Sequence, residues 1–252
     1  MAEPPDARRD PFAALRQATA ARVGLGRAGQ GLPTAPMLAF QLAHARAQDA
    51  VHAPLDLDLI RTALDRPSIV VDSAAPDRAI YLQNPDLGRR LDTSAAPITP
   101  GDHDLAIVLA DGLSATAVHA HGPALVSALA ARLGDWKLAP IVIARQARVA
   151  IGDPIGEALG AKVVLVLIGE RPGLSAADSL GAYLTWDPKP GRRDSERNCV
   201  SNIRAPGGLS PEQAADKIVW LLREARRLGF SGVDLKDRSG DGLPDRSGER
   251  LS

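Results

Sequence analysis

Apolar positions gather into four runs between Leu105 and Trp186, and each run gives way to a loop of small, charged or amide residues. Leu105-Ala-Ile-Val-Leu109 is followed by Asp111-Gly112-Leu113-Ser114, Leu138-Ala-Pro-Ile-Val-Ile143 by Arg145-Gln146-Ala147-Arg148-Val149, and Val163-Val-Leu-Val-Leu-Ile168 by Gly169-Glu170-Arg171-Pro172-Gly173. Gly181-Ala-Tyr-Leu-Thr-Trp186 leads through a charged loop to Asn198-Cys199-Val200-Ser201-Asn202. Unbroken runs rich in Val and Ile read as strands buried on both faces. Segments with helical spacing lie between them, so the pattern predicts an α/β fold: a parallel-sheet, Rossmann-like core with helices on both faces. Ligands of such sheets bind outside the carboxyl ends of the strands. All the unusual loops are therefore expected on one rim, and that rim is the candidate site.

The flanking pattern predicts further elements. Pro11 to Val23 reads as a helix with Asp10 as its cap, and Thr34 to about Val51 as a second, capped by Thr34. Asp56 to Leu64 is a third, shorter helix, and Ser68–Val71 and Ala79–Leu82 read as short strands. Ser114–Leu133 predicts a helix that turns Ala117, Leu125, Leu129 and Leu133 inward. Gly152–Leu159 predicts another, with Asp153 as its cap. Pro211–Leu228 is the longest, with Ser210 as cap and Gly229 as its stop. Phe230–Lys236 reads as a last short strand. The Pro-rich stretch Thr93–Gly101 marks a boundary. The expected organisation is an N-terminal helical extension with short strands (1–100), an α/β domain (101–237) and a disordered polar tail (238–252), after residues 1–10, which are expected to fray.

Composition narrows the classes. Thirty basic and thirty acidic residues cancel, so no global field favours nucleic acid or an anionic membrane. With three Trp, two Tyr and three Phe the chain has little to build a base-stacking platform from. One cysteine excludes an internal disulfide and fits a reducing cytoplasm. No apolar run is long enough to span a bilayer, and Met1–Asp10 lacks the apolar core of a signal peptide.

Several motifs invite chemistry and fail on context. Gly24-Leu-Gly-Arg-Ala-Gly29 matches the dinucleotide fingerprint in letters, but a predicted helix precedes it where a strand is required, so a glycine-rich connector is the better reading. His44, Asp49 and His52 lack metal-ligand spacing, and His119 and His121 are too close to share a helix face. Asp237 and Asp241 hint at calcium without the rest of a loop. Ser114 is not in a nucleophile elbow. Cys199 has Arg197 nearby to lower its pKa but no histidine placed beside it by the sequence, so no catalytic residue and no metal ligand is assigned. A rim that offers Glu170, close-packing glycines, a small apolar Val149 and Cys199 between two asparagines suits a wide, flat, amide-fringed ligand.

Five segments in order carry a resemblance: Ala21–Gly29, Asn84-Pro-Asp-Leu-Gly-Arg-Arg-Leu-Asp92, Ala110-Asp-Gly-Leu-Ser114, Ile168-Gly-Glu-Arg-Pro-Gly-Leu174 and Arg197-Asn-Cys-Val-Ser-Asn-Ile203. Over about residues 10–236 the chain resembles the small (light) subunits of ethanolamine ammonia-lyase. The resemblance implies a non-catalytic subunit that helps bind and enclose adenosylcobalamin, the cobalt-containing B12 coenzyme, against a large barrel subunit. That large subunit would hold ethanolamine and carry the radical conversion to acetaldehyde and ammonia. By position in the motifs, Val149, Glu170 and Cys199 are the implied cobalamin contacts. The complex is expected to be a hetero-oligomer in the cytoplasm or in a bacterial microcompartment, with the N-terminal helices on the large subunit. The alternatives are a cobalamin-binding module of another complex and a purely structural scaffold.

Overall fold

The computed structural model describes residues 12–19, 21–92, 94 and 98–236. The expected frayed start, the Asp10 cap, the polar tail and the Asp237/Asp241 pair lie outside the described residues, as do parts of the boundary at 93–101.

Six strands form one sheet: β1 (Ser68–Asp72), β2 (His103–Ala110), β3 (Ile141–Arg145), β4 (Ala161–Gly169), β5 (Leu180–Trp186) and β6 (Arg197–Ile203), in the spatial order β1-β3-β2-β4-β5-β6. The pairs β1–β3, β3–β2 and β2–β4 are parallel. β5 runs antiparallel to both β4 and β6, which corrects the expectation of an all-parallel sheet. The physical reason is the length of the connection. A parallel crossover needs a dozen or more residues and usually a helix. Residues 170–179 form no helix and are too few, so the chain turns back beside β4. β1, from before the expected boundary, is hydrogen-bonded into this same sheet.

Side chains alternate across the sheet as the period of a strand requires. Leu105, Ile107 and Leu109 of β2 and Val163, Leu165 and Leu167 of β4 pack with α5 (Ala115–Arg132) and α7 (Pro211–Leu228). Ala106, Val108 and Ala110, with Val164, Val166 and Ile168, pack with α6 (Gly152–Leu159) on the other face. The two central strands are thus covered on both faces, which is why they read as unbroken apolar runs. Ser114 caps α5, accepting from the Ala117 amide, and Ser210 caps α7 in a capping box.

The preceding segment contains α1 (Ala13–Ala18), α2 (Thr34–His52), α3 (Leu57–Ala63) and α4 (Arg78–Gln83). Ala79–Leu82, expected as a strand, lies in α4, where the Asp77 side chain accepts from the Ile80 amide and starts a helix. Thr34 begins α2 rather than capping it, and Pro33 holds the cap position. α1 is shorter than the helix expected over 11–23. Residues 230–236 form turns and no strand. Among the described residues no helix is long and apolar enough to cross a membrane.

Candidate functional site

The site is built where β2, β3 and β4 end side by side. β2 and β4 come very close here. A Cβ on Gly169 would meet the Ser114 carbonyl oxygen at 2.0 Å, and one on Gly112 (φ +56°) would meet the Gly169 carbonyl oxygen at 2.3 Å. Glycine at both positions lets the two loops nest.

The loop after β3 is fastened by groups from outside it. The buried Asp111 carboxylate accepts from the Gln146 and Ala147 amides, both at 2.9 Å. Ser73 Oγ donates to the Gln146 carbonyl at 2.6 Å, Tyr81 Oη donates to the Ala147 carbonyl at 2.9 Å, and the Arg148 amide donates to the Gly88 carbonyl at 2.8 Å. These bonds hold Gln146 at φ +50°, a region costly for a residue with a side chain. Burial pushes the Asp111 carboxyl above its ordinary value, against the two amides and the Arg78 guanidinium, which pull it down. The loop delivers Val149 to the first position of a short 3₁₀ turn, Val149–Ile151.

Two clefts of about 330 and 410 Å³ adjoin at this point and share Arg148, Val149 and Tyr183 as a common wall. Cys199 and Arg89 line the first, and Glu170 and Leu113 the second. Val149, Glu170 and Cys199, separated in the sequence, thus surround Tyr183. Val149 and Glu170 stand at the rim where they were expected. Cys199 does not: it lies inside β6, directly opposite Tyr183 of β5. Because β5 is antiparallel, its following loop (187–196) falls at the far end of the sheet, and β6 returns toward the rim. Cys199 reaches the site from the sheet face through its cross-strand neighbour.

Glu170 bends back over the sheet. Its Oε2 accepts from Ser179 Oγ and, at 3.3 Å, from the Asn202 amide. A Cβ on Gly181 would lie 2.9 Å from Oε1, so glycine there makes room for the carboxylate. Among the described residues Oε1 accepts no hydrogen bond and is available to an outside donor. Burial pushes the Cys199 thiol up, the Glu170 charge adds to this, and the hydrogen bond with Tyr183 opposes it. Burial likewise pushes the Tyr183 phenol up, aided by Cys199 and Glu170. Both groups are therefore neutral at pH 7. Neither is a ready nucleophile or a thiolate ligand.

Arg197 does not activate Cys199. Its guanidinium grips Asp153 through two hydrogen bonds of 2.7 Å and also donates to Thr185 Oγ1 at 2.7 Å. Both side chains are 2 % exposed. Asp153, expected as a helix cap, is instead the buried counter-ion that ties α6 to the start of β6. Ser114, weighed as a nucleophile, donates to the Ala177 carbonyl at 2.8 Å besides capping α5. His119 Nε2 accepts from the Asp56 amide at 2.8 Å, which joins α3 to α5. His44 and His52 are exposed on α2, and the glycines at 24–29 form a connector with no strand before them among the described residues.

Sequence reasoning missed Arg148 and Tyr183, two of the three residues both clefts share. A signal was present for each. Arg148 adjoins Val149, and Tyr183 is one of only two tyrosines in the chain.

Comparison with known proteins agrees with the resemblance. The family model described as ethanolamine ammonia-lyase light chain (EutC) matches residues 9–236. The chain is 53 % identical to a protein of Xanthomonas campestris pv. campestris named ethanolamine ammonia-lyase small subunit, over 95 % of this chain and 92 % of that one. It is 52 % identical to the protein of that name from Bradyrhizobium diazoefficiens, over 100 % of this chain and 99 % of that one. It is 50 % identical to that from Ralstonia nicotianae, over 90 % and 88 %.

Proposed function

The chain belongs to the ethanolamine ammonia-lyase light chain family, and from this premise we propose that it is the small subunit of an adenosylcobalamin-dependent ethanolamine ammonia-lyase. Its role is to seat the coenzyme and close over it where it meets a larger catalytic subunit. The observation that carries the reading is the meeting of Val149, Glu170 and Cys199 around Tyr183 on two adjoining, open clefts. Such a surface is too shallow to enclose a large ligand by itself and suits one side of an interface.

The residues fit the group. A corrin is fringed with amide side chains, and Glu170 Oε1 is an unused acceptor for an amide N–H. Val149 offers a small apolar contact to a flat ring, and a protonated Cys199 fits beside the ring without ligating cobalt. The parallel half of the sheet, covered on both faces, supports reading the core as a Rossmann-like variant with its ligand at the strand ends. The coenzyme supplies the radical that begins the conversion of ethanolamine to acetaldehyde and ammonia. The contribution of this chain is to orient the ligand and keep water from the interface. The large subunit binds ethanolamine, and the assembly resides in the cytoplasm or in a microcompartment.

The exposed apolar residues of α1, α2 and their connector, among them Leu15, Leu32, Leu38 and Phe40, are the surface that lies on the large subunit.

The test is acetaldehyde release from ethanolamine and adenosylcobalamin with this chain, the large subunit, and both. Activity in the mixture alone is expected. A folded, associated and inactive mixture overturns the substrate. Glu170→Ala is expected to weaken coenzyme binding roughly tenfold with the complex intact, the size of a lost hydrogen bond to a charged group. Unchanged affinity would favour a purely structural subunit.

A further inference from the structure

The Tyr81 ring carries two guanidiniums. Arg78 lies 4.8 Å and Arg148 4.5 Å from its centroid. The first is committed within the fold: it donates to the Val51 carbonyl and, at 2.8 Å, to the Gly112 carbonyl, and it lies 3.5 Å from the Asp111 carboxylate. The second is not. Among the described residues Arg148 has no carboxylate within ion-pair distance, and its Nε is buried without a hydrogen-bond partner. Its side chain lines both clefts.

Arg148 is also held in place. Its amide donates to the Gly88 carbonyl, and a Cβ on Gly88 would meet Arg148 Cγ at 2.9 Å and Tyr81 Cε2 at 2.7 Å, so that glycine leaves the space in which the pair stacks. Stacking on an aromatic ring fixes the plane of a guanidinium and leaves its edge free for a planar or tetrahedral oxyanion. Arg197, another cation of the first cleft, also has a buried Nε without a hydrogen-bond partner, but its charge is met by the buried Asp153 and by Asp194 at 3.5 Å. Arg171, at the second, is exposed, and among the described residues no aromatic ring lies against it.

We propose that Arg148 is a specificity-determining residue of the coenzyme site and binds the phosphodiester of the cobalamin nucleotide loop. This rests on the cofactor reading above. The loop phosphodiester is an anion in a ligand whose side chains are otherwise neutral amides, and a fixed guanidinium without a counter-ion is its complement.

The experiment measures equilibrium binding, by the change in corrinoid absorbance, to the complex of this chain with its large subunit. Three ligands are compared: adenosylcobalamin, adenosylcobinamide, which lacks phosphate and base, and adenosylcobinamide phosphate, which restores the phosphate. Arg148→Gln is expected to weaken adenosylcobalamin and adenosylcobinamide phosphate by about tenfold to a hundredfold and adenosylcobinamide by less than about threefold. Arg148→Lys, which keeps the charge and loses the fork, is expected to recover part of the loss for the two phosphate-bearing ligands. Equal losses for all three ligands would mean a general role in shaping the site and would overturn the proposal, as would no loss. A phosphate-selective loss in Arg171→Gln but not in Arg148→Gln would overturn it too. If the wild-type complex binds no corrinoid, the cofactor reading itself fails.

Discussion

Helices α2 and α7 are almost equal in length, 19 and 18 residues, yet they bury very different shares of their apolar side chains. α7 buries Ile218, Val219, Leu221 and Leu222, among others, against the sheet and α5. α2 buries Ala50 alone, and Leu38 and Leu42 stay 58 % and 53 % exposed. Both sequences are rich in apolar residues. The difference is whether the chain itself supplies a surface to cover them. The sheet core covers its own apolar faces, whereas the apolar side chains of α2 stay exposed in this chain.

That contrast can be broken in graded steps. The largest effect is expected at the buried ion pair that joins α6 to β6. Asp153→Asn removes the buried partner of Arg197, whose side chain is 2 % exposed, and leaves it only the exposed Asp194 at 3.5 Å. It should cost about 3–5 kcal/mol, read as a fall in the denaturant midpoint of the isolated chain. A wild-type midpoint in that variant would mean that water reaches the pair. Next comes the α7 face: Leu222→Ala, at 0 % exposure, should cost about 2–5 kcal/mol through lost burial and a cavity. The smallest stability change belongs to the arm. Leu38→Ala with Leu42→Ala should shift the isolated chain by less than about 0.5 kcal/mol per site, as surface changes do. The same pair should nonetheless weaken association with the large subunit measured by sedimentation. Unchanged association would remove the arm from the interface; a large loss of stability in the free chain would erase the contrast between the two helices.

Legibility followed the range of the forces involved. The buried strands, the cap at Ser210 and the stop at Gly229 were readable because period and cap chemistry are local. Ala79–Leu82 misled because a short apolar stretch suits either state, and the Asp77 cap decided for helix. Asp153 misled because a carboxylate at a helix start suits a cap or a counter-ion equally. Only Arg197, from a strand across the sheet, chose between them. At the site, Val149 and Glu170 fell on the rim as expected, while the sequence could not show Cys199 reaching it from β6.

By itself the sequence determined which segments must be buried, where most helices start and stop, and the family to which the chain belongs, because each depends on neighbouring residues or on motifs in order. Tertiary structure alone decided that β5 lies beside β4, since the short connection forbids a parallel crossover but does not itself choose the strand that β5 pairs with. It decided, too, that Tyr183 stands between Val149, Glu170 and Cys199, and that Arg148 rests on Tyr81 without a carboxylate partner among the described residues. Those are distances between residues far apart in the chain, and only packing sets them.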